Sequence, residues 1–191
     1  MTVSRLLVMG PQGAGKGTQA ALLAEWLGVP AISTGDIFRA NIKGKTELGV
    51  LAQSYTARGE LVPDSVTNDM VRSRLSEPDA RAGFILDGYP RNAAQVGALD
   101  EILADLAEPL QAVVVLTADR DELLARIAKR AQIEGREDDT PEAIARRLDI
   151  YEAETAPLLA AYRERGLLAE VDGLGTVEQV AARVRDAVQA K

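Results

Sequence analysis

Two residue types with distinctive metal and redox chemistry are missing from this sequence of 191 residues. The absence of cysteine excludes disulfide bonds and thiolate zinc sites. The absence of histidine excludes general catalysis and metal binding by an imidazole ring. Any metal ion is therefore expected to be a hard cation held by oxygen atoms.

Long apolar runs are also lacking. No run approaches the roughly 20 residues that a membrane-spanning helix needs. The apolar run at residues 3–9 is too short for the apolar region of a signal peptide together with its cleavage site. We therefore expect neither membrane insertion nor export, and a cytoplasmic location.

Basic residues are outnumbered by acidic ones, and the formal net charge is −7. This balance argues against a general nucleic-acid binder, which would normally display a basic face. Apolar residues make up 47% and charged residues 27%, as is ordinary for one compact globular domain of this length. Of the 22 basic residues 17 are arginines, whose forked guanidinium groups suit phosphate.

A glycine-rich turn follows the first apolar run. Residues 10–18 read GPQGAGKGT, and a helical pattern of alanines and leucines comes next. Glycines in such a turn let successive backbone N–H groups converge on one anion. The following helix adds the partial positive charge of its N-terminus, and Lys16 adds a full charge for the terminal phosphates. The combination predicts a phosphate-binding loop rather than an ordinary strand–helix turn.

The loop departs from the general G-x-x-x-x-G-K-[S/T] pattern at one position. Gly17 stands where that pattern has a hydroxyl residue, and the hydroxyl comes one residue later, at Thr18. We therefore do not expect a side chain at position 17 to bind magnesium directly.

Short apolar runs alternate with segments of helical period along most of the chain. The expected strands are Arg5–Met9, Ala31–Ser33, 83–87, Ala112–Thr117 and 168–171. Runs such as AVVVL and FILD lack alternating polar residues, as is typical of strands covered on both faces. The pattern predicts an α/β fold with an open, parallel, five-stranded sheet, helices on both faces, and ligands beyond the carboxyl ends of the strands.

Two segments interrupt this alternation. Between residues 33 and 83 we expect no strand, only helical patches at residues 36–42, 47–58 and 64–75, which is enough for a small helical insert. The second segment, residues 132–140, is charged and ends with Thr140 as a helix N-cap before Pro141. It can be a surface loop or a flexible lid, and these residues alone favour neither.

Polar side chains follow two of the expected strands. In ISTGDIFR, Thr34 offers a hydroxyl for a base and Arg39 a guanidinium for a phosphate, whereas helix capping by Thr34 and Asp36 is the alternative. In FILDGYPR, Asp87 ends a strand where an aspartate of a phosphate-loop enzyme faces nucleotide-bound magnesium. A structural carboxylate that caps the turn is the alternative.

The turn after Asp87 is expected to present a further pair. Gly88 and Pro90 predict a tight turn that exposes Arg91 to a ligand. Gln95 lies four residues later, so that in a helix both side chains would share a face and meet one ligand. A solvated surface glutamine is the alternative.

Four arginines surround the charged segment. Arg126 and Arg130 are one helical turn apart, Arg136 lies within the segment, and Arg147 lies on the polar face of the next helix. Together they would close on a polyphosphate. Without an anion they would be solvated or paired with the acidic residues of the loop, which is the commoner situation for arginines.

Taken together, these motifs resemble the adenylate kinase family. GPQGAGKGTQ, ISTGDIFR, ELVPD, GFILDGYPRN-x-x-Q, DELLARIAKR, EGREDD followed by AIARRL, and EVDG occur in the family's order and approximate spacing. The resemblance runs from the first strand almost to the C-terminus. It implies a P-loop NTPase-like fold and reversible, magnesium-dependent phosphoryl transfer from ATP to AMP, giving two ADP, for adenine nucleotide homeostasis.

The resemblance also implies which residues act on each nucleotide. The ATP-binding set comprises Gly13, Ala14, Gly15, Lys16, Gly17, Thr18, Arg126, Arg130 and Gly175. The AMP-binding set comprises Thr34, Arg39, Glu60, Leu61, Val62, Gly88, Tyr89, Pro90, Arg91, Gln95, Arg136 and Arg147. The catalytic set comprises Lys16, Arg91, Arg126, Arg136 and Arg147. Asp87 is implied to order magnesium through water, and Asp138 and Asp139 to hinge or hydrogen-bond within the lid.

One kinase domain over residues 1–191 is implied, with three parts. The core comprises residues 1–32, 63–130 and 141–191, the NMP-binding insert residues 33–62, and the short lid residues 131–140. The long zinc-binding or β-rich lid of many bacterial members is missing, so no zinc is expected. Gln12 stands where many members have proline, which we expect to be a minor change because the side chain would point away from the phosphates. The implied partners are ATP, AMP and ADP, with no nucleic acid or membrane, and the implied state is a monomer.

Two other functions fit parts of this sequence. A UMP/CMP kinase shares the short lid, and Asn92 directly after GYPR is typical of that branch, whereas Thr34 and Gln95 favour AMP. A nucleotide-dependent switch would use the loop without phosphoryl transfer. It would need no second phosphate clamp, yet Arg39, Arg91 and Arg147 supply one.

Overall fold

The computed structural model describes residues 3–135 and 139–191, and the elements within these ranges are as follows. The strands are β1 Arg5–Met9, β2 Ala31–Ser33, β3 Phe84–Asp87, β4 Ala112–Thr117 and β5 Leu168–Asp172. The helices are α1 Lys16–Leu27, α2 Thr34–Lys43, α3 Glu47–Thr56, α4 Asp64–Leu75, α5 Ala93–Asp105, α6 Arg120–Glu134, α7 Pro141–Ile150, α8 Leu158–Glu164 and α9 Val177–Gln189. In the described part of the chain, no helix is both long and apolar enough to cross a membrane.

All pairings in the sheet are parallel, in the order β2-β3-β1-β4-β5. The predicted fold class is confirmed, and three of the predicted strands have the observed bounds. The third begins one residue later than expected, at Phe84. Gly83 there has a φ of +147°, and a Cβ at this position would lie 2.4 Å from the carbonyl oxygen of Ser4.

Each face of the sheet packs against its own layer of helices. Leu6 and Val8 of β1 belong to a core with residues of α1, α6, α7 and α9, while Leu7 and Met9 belong to a second core with residues of α4, α5 and α8. Successive side chains of a strand point to opposite faces, so a strand buried on both sides must be apolar throughout. This explains the uninterrupted apolar runs, and it leaves the carboxyl edge of the sheet for polar groups.

The crossover between β2 and β3 is helical, and the structure describes all of it. Helices α2 and α3 pack together over a small core of Phe38, Ala52 and Val62. Gly49 makes this contact close, because a Cβ there would lie 2.1 Å from the carbonyl oxygen of Asn41. The expectation that this crossover contains no strand is confirmed, and the division into core, insert and lid stays a prediction.

The charged segment joins α6 to α7. Helix α6 ends at Glu134, followed by Gly135 in the left-handed region, and Thr140 caps α7 with its side chain as predicted. Residues 136–138 lie outside the described residues, and with them Arg136 and Asp138. A π-helical turn, Tyr151–Thr155, connects α7 to the segment before α8.

Candidate active site

A cleft of about 1730 Å³ opens at the carboxyl edge of the sheet. It is lined by the loop after β1, the ends of β2 and β3, parts of α2, α3, α6 and α7, and the loop after β5. Every described member of the ATP-binding, AMP-binding and catalytic sets lines this cleft, as does Asp87. The structure therefore brings together residues that are up to about 160 positions apart in sequence.

The glycine-rich loop leads from β1 into the cleft. Gly13 has a φ of +87°, and a Cβ there would lie 2.9 Å from the carbonyl oxygen of Leu123. Gly15 is the N-cap of α1 with a φ of +94°, and no described side chain caps this helix. The first N–H groups of a helix need partners outside the helix. No described side chain accepts from them here, so they are available to bind an anion in the cleft.

Lys16 is the full positive charge of this loop. Its side chain is half-buried, and its Nζ donates to the carbonyl oxygen of Pro11 over 3.1 Å. Burial lowers the pKa of Lys16 from its ordinary value of 10.5 to about 8, against the opposing effect of Asp87; Arg91 lowers it further. A bound phosphate would favour the protonated form.

Asp87 is the buried carboxylate that faces Lys16. It ends β3 with 9% of its surface exposed, and burial raises its pKa while Lys16 and Arg91 act to lower it. Gly17 leaves space beside it, because a Cβ at position 17 would lie 3.7 Å from Asp87 Oδ2. Across the described ranges no group of three or more acidic residues could hold a metal ion. One carboxylate fits magnesium that is bound mainly by substrate phosphates and water.

Arg91 enters the cleft from the turn after β3. Its Nε donates to the carbonyl oxygen of Gly88 over 2.7 Å, and its own carbonyl oxygen accepts from Thr155 Oγ1 over 2.6 Å. Burial lowers the pKa of Arg91, with Asp87 opposing and Arg147 and Arg39 lowering it further. The guanidinium is thus held by one backbone carbonyl and lies near other cations, which favours an anion beside it.

Gln95 is buried, with 2% of its surface exposed, so it is not a solvated surface residue. Its Oε1 accepts from the backbone N–H of Arg91 over 2.7 Å, and its Nε2 donates to Asp64 Oδ1 over 2.8 Å. Helix α5 begins at Ala93, so the expectation that Arg91 and Gln95 share a helical face is wrong. They meet because Arg91 precedes the helix and Gln95 reaches back to its backbone.

Thr34 and Tyr89 lie on the same side of the cleft. Thr34 is 4% exposed, and its Oγ1 donates to the carbonyl oxygen of Gly88 over 3.2 Å. Tyr89 is 1% exposed, and its hydroxyl donates to Asn68 Oδ1 over 2.6 Å. The ring of Tyr89 belongs to the core beneath the site. Helix α2 is capped by Ser33 rather than by Thr34 or Asp36, so the capping alternative for those two residues is wrong.

The insert meets α7 across the mouth of the cleft. Glu60 pairs with Arg58 of its own segment and with Arg146 of α7, each over 2.8 Å. Gly59 lies so close to α7 that a Cβ there would be 2.7 Å from the carbonyl oxygen of Ala143. Leu61 and Val62 line the cleft beside this contact, whereas Arg39 pairs with Asp36 of its own helix.

Arg126 and Arg130 extend from α6 on the other side. Arg126 donates to Glu122 over 2.7 Å and to the carbonyl oxygen of Gly173 over 2.9 Å, near Gly175. Arg130 donates to Asp139 Oδ2 from Nε and Nη2, over 3.1 and 2.6 Å. The predicted one-turn spacing on one helix is confirmed.

Asp139 accepts hydrogen bonds from three side chains that line the cleft. Its carboxylate has no exposed surface, and it accepts from Arg130, from Arg147 over 3.0 Å and from Gln12 over 3.0 Å. Arg147 also donates to the carbonyl oxygen of Thr56 in the insert. For Arg130 and Arg147, pairing with an acidic residue of the loop is therefore what this structure contains.

Four contributions were not assigned from the sequence. They are the bonds of Asp64 to Gln95, of Thr155 to Arg91, of Gln12 to Asp139 and of Arg147 to Thr56. Each joins residues that are between 31 and 127 positions apart. Local periodicity and motif spacing carry no signal for contacts at such separations.

Known proteins match this chain over nearly its whole length. The sequence model of the family described as adenylate kinase matches residues 8–167. An adenylate kinase of Bifidobacterium longum is 65% identical over 180 residues, which cover 94% of this chain and 97% of that protein. An adenylate kinase of Kocuria rhizophila is 57% identical over 187 residues, covering 98% of this chain and 100% of that protein. One of Thermobifida fusca is 54% identical, covering 98% and 99%.

Proposed function

Because the chain belongs to the adenylate kinase family, we propose that it is a phosphotransferase that moves the terminal phosphoryl group of ATP reversibly to AMP, giving two ADP. The observation that carries the proposal is the meeting of two cationic clamps in one cleft. Lys16 comes from the loop after β1, and Arg91 comes from the turn after β3. Both cations act to lower the pKa of the buried carboxylate of Asp87.

The ATP phosphates belong on the side of the glycine-rich loop. The uncapped N-terminus of α1 offers backbone N–H groups and a partial positive charge. Lys16 would bridge the donor and transferred phosphates, with Arg126 and Arg130 alongside. Gly175 lines the cleft near Arg126, where its backbone would contact the adenine ring.

AMP belongs on the opposite side, between β3 and the insert. Arg91 is held towards the cleft by Gly88, and together with Arg39 it would bind the AMP phosphate. Thr34, Gln95 and the backbone of residues 60–62 line the part of the cleft that would hold the base and ribose.

Magnesium would enter with ATP. Asp87 would hold it through water beside the space left by Gly17, which fits a site with one buried carboxylate. When bound, the ion would neutralise charge on the donor phosphates.

The protein's own residues act by alignment and charge neutralisation. The AMP phosphate oxygen is already a competent nucleophile, so no general base is needed. Lys16, Arg91 and Arg147 would stabilise the charge of the migrating phosphoryl group. Removing one such contact typically costs about 10²- to 10³-fold in rate.

Closure of the insert, residues 33–62, and of the lid, residues 131–140, would exclude water and prevent hydrolysis of ATP. The contacts of Glu60 with Arg146 and of Thr56 with Arg147 support this proposal. They connect the insert to α7 across the opening of the cleft. Arg136, outside the described residues, keeps its predicted role in the clamp.

The case for a pyrimidine nucleotide as acceptor is weakened by the contacts of Asn92. This residue caps α5 by accepting from the backbone N–H of Gln95 over 2.9 Å, and its Nδ2 donates to Asp64 over 3.0 Å. These contacts give Asn92 a role in the backbone of the site that is independent of the base. AMP remains the proposed acceptor, and a monomeric state and a cytoplasmic location remain predictions.

The test is direct conversion of defined nucleotides. The purified protein, incubated with magnesium, ATP and AMP, is expected to form two ADP for each ATP and AMP consumed, as measured by chromatography. Omitting AMP should leave ATP almost unchanged. Release of phosphate from ATP without AMP, or a higher kcat/KM with UMP or CMP than with AMP, would contradict the proposal.

A further inference from the structure

The groups on the base side of the cleft have hydrogen-bonding directions that are fixed from within the protein. A glutamine amide carries a carbonyl that accepts and an NH₂ that donates, and the two ends differ only in direction. The end of Gln95 that receives the N–H of Arg91 must be the carbonyl. The end that faces the carboxylate of Asp64 must be the NH₂. Turning the amide over would put donor against donor and acceptor against acceptor.

Asp64 is the anchor of this arrangement. It is half-buried at the first position of α4, and its Oδ1 accepts from both Gln95 Nε2 and Asn92 Nδ2. Asn92 Oδ1 in turn accepts from the backbone N–H of Gln95. A carboxylate can only accept, so it imposes one direction on both amides.

The bonds within the protein leave part of Gln95 for a ligand. One hydrogen of its NH₂ is used by Asp64 and one lone pair of its carbonyl by Arg91, so that one donor and one acceptor remain. The hydrogen-bonding direction of the Thr34 hydroxyl is also fixed from within the protein. Its hydroxyl proton is directed at the carbonyl oxygen of Gly88, so it can only accept from a ligand. Both residues line the cleft.

We infer that Asp64 is a specificity-determining positioning residue, which sets the direction of the Gln95 amide so that the site accepts a 6-aminopurine and rejects a 6-oxopurine. Adenine presents an acceptor at N1 beside a donor at its amino group, which matches the remaining donor and acceptor of Gln95. Hypoxanthine presents N1–H and a carbonyl oxygen, which is the reverse pattern. Thr34 as an acceptor adds to the preference for the amino group.

This inference rests on the proposed function, because it assumes that AMP binds on the side of Gln95. The probe is inosine 5′-monophosphate, which differs from AMP only in this edge of the base. For the unchanged protein and for each variant, kcat/KM and the dissociation constant are measured with both acceptors, the latter by calorimetry. The informative quantity is the preference ratio, which is kcat/KM for AMP divided by kcat/KM for inosine monophosphate.

Asp64→Ala is expected to lower this ratio by about tenfold, because the Gln95 amide loses one of the two partners that oppose its reversal, and only the backbone N–H of Arg91 remains. Asp64→Asn keeps a carbonyl acceptor and should have a smaller effect in the same direction. Asp69→Ala, at an exposed position of the same helix, is the matched control and should leave the ratio unchanged within about twofold. In a Gln95→Ala background, Asp64→Ala should not change the ratio further, since Asp64 acts through Gln95.

Two results would overturn the inference. An unchanged ratio in Asp64→Ala would show that the carboxylate does not set the preference. Equal losses for both acceptors would show a purely structural role. A protein that forms no ADP from ATP and AMP before any substitution would instead refute the proposed function. Circular dichroism and thermal unfolding of each variant separate a loss of folding from a change of preference.

Discussion

The helices that follow the strands of the sheet begin in two different ways. Helices α2, α5, α6 and α9 are capped by Ser33, Asn92, Asp119 and Thr176, whose side chains each accept from a backbone N–H of the first turn. Helix α1, which follows the central strand β1, begins with Gly15, and none of the described side chains caps it.

At this edge of the sheet, the capped helix starts contribute to stability, whereas the uncapped start is available for ligand binding. A side-chain cap satisfies a backbone donor within the protein and stabilises the helix by about 1 kcal/mol. An uncapped start leaves these donors for a ligand, and the helix dipole favours an anion there. The chain therefore closes four of these helix starts by itself and leaves the start of α1 open, where we propose that phosphate binds.

The largest effect is expected when the charge beside this open helix start is removed. Lys16→Met should lower kcat/KM for ADP formation by about 10²- to 10³-fold, since the side chain would neutralise charge on the transferred phosphoryl group. The variant should melt at no lower temperature than the unchanged protein, because the site lowers the pKa of Lys16 and so disfavours its charged form. Steady-state kinetics measures kcat/KM, and calorimetric unfolding measures the melting temperature. Full activity would show that Lys16 has no part in transfer.

Giving α1 a cap like those of its neighbours should also weaken nucleotide binding. In Gly15→Ser a hydroxyl would compete with phosphate for the same N–H groups, and the left-handed backbone would disfavour any side chain. We expect the KM for ATP to rise about five- to thirtyfold, from a cost of roughly 1–2 kcal/mol. Gly97→Ser in α5, where an added Cβ would meet none of the described atoms within 4 Å, is the matched control. An unaltered KM in Gly15→Ser would mean that the open start is not used.

The pH dependence of ATP binding should report the protonation of Lys16. The ligand-free pKa of Lys16 is about 8, and bound phosphates would raise it, so binding takes up a proton at and above that pH. The affinity for ATP should therefore fall about tenfold between pH 7 and pH 9. Without ligand, the unfolded chain binds the proton more strongly than the folded one, so stability should rise with pH between about 8 and 10.5. Calorimetry in buffers of different ionisation enthalpy measures the uptake, which Lys16→Met should abolish.

The smallest effect is expected at a helix start that the protein closes by itself. Asp119 caps α6 by accepting from the backbone N–H of Glu122 over 2.9 Å, and it is exposed. Asp119→Ala should lower the free energy of unfolding by about 1 kcal/mol. Activity at 25 °C should change by less than about twofold. Urea unfolding and steady-state kinetics are the measurements. A loss of activity without a loss of stability would contradict the claim that this capped helix start serves stability alone.

Much of the fold was predictable because its signals are local. Apolar runs without alternation marked the buried strands, and Thr140 before Pro141 marked the start of α7. The start of β3 shifted by one residue, because the close packing of Gly83 against Ser4 is a contact outside the motif. Helix α2 begins two residues earlier than expected, because its N-cap is Ser33.

The candidate site was predictable as a set of residues but not as a network. Motifs indicated Lys16, Arg91 and Gln95, since their residue types and spacing suit phosphate and base. The partners of Gln95 and Arg91 were not indicated, because Asp64 and Thr155 reach them across the folded chain. Such contacts are decided by the packing of whole helices against the sheet.

The most direct test of the account is whether one cleft holds two nucleotides. A bisubstrate mimic, in which two adenosines are joined by a polyphosphate chain, should bind with one molecule per chain in titration calorimetry. Lys16→Met and Arg91→Ala should each weaken it, because the chain of phosphates would pass both cations. Binding of two mimics per chain, or binding that loses affinity in only one of these variants, would contradict the claim that Lys16 and Arg91 serve a single reaction.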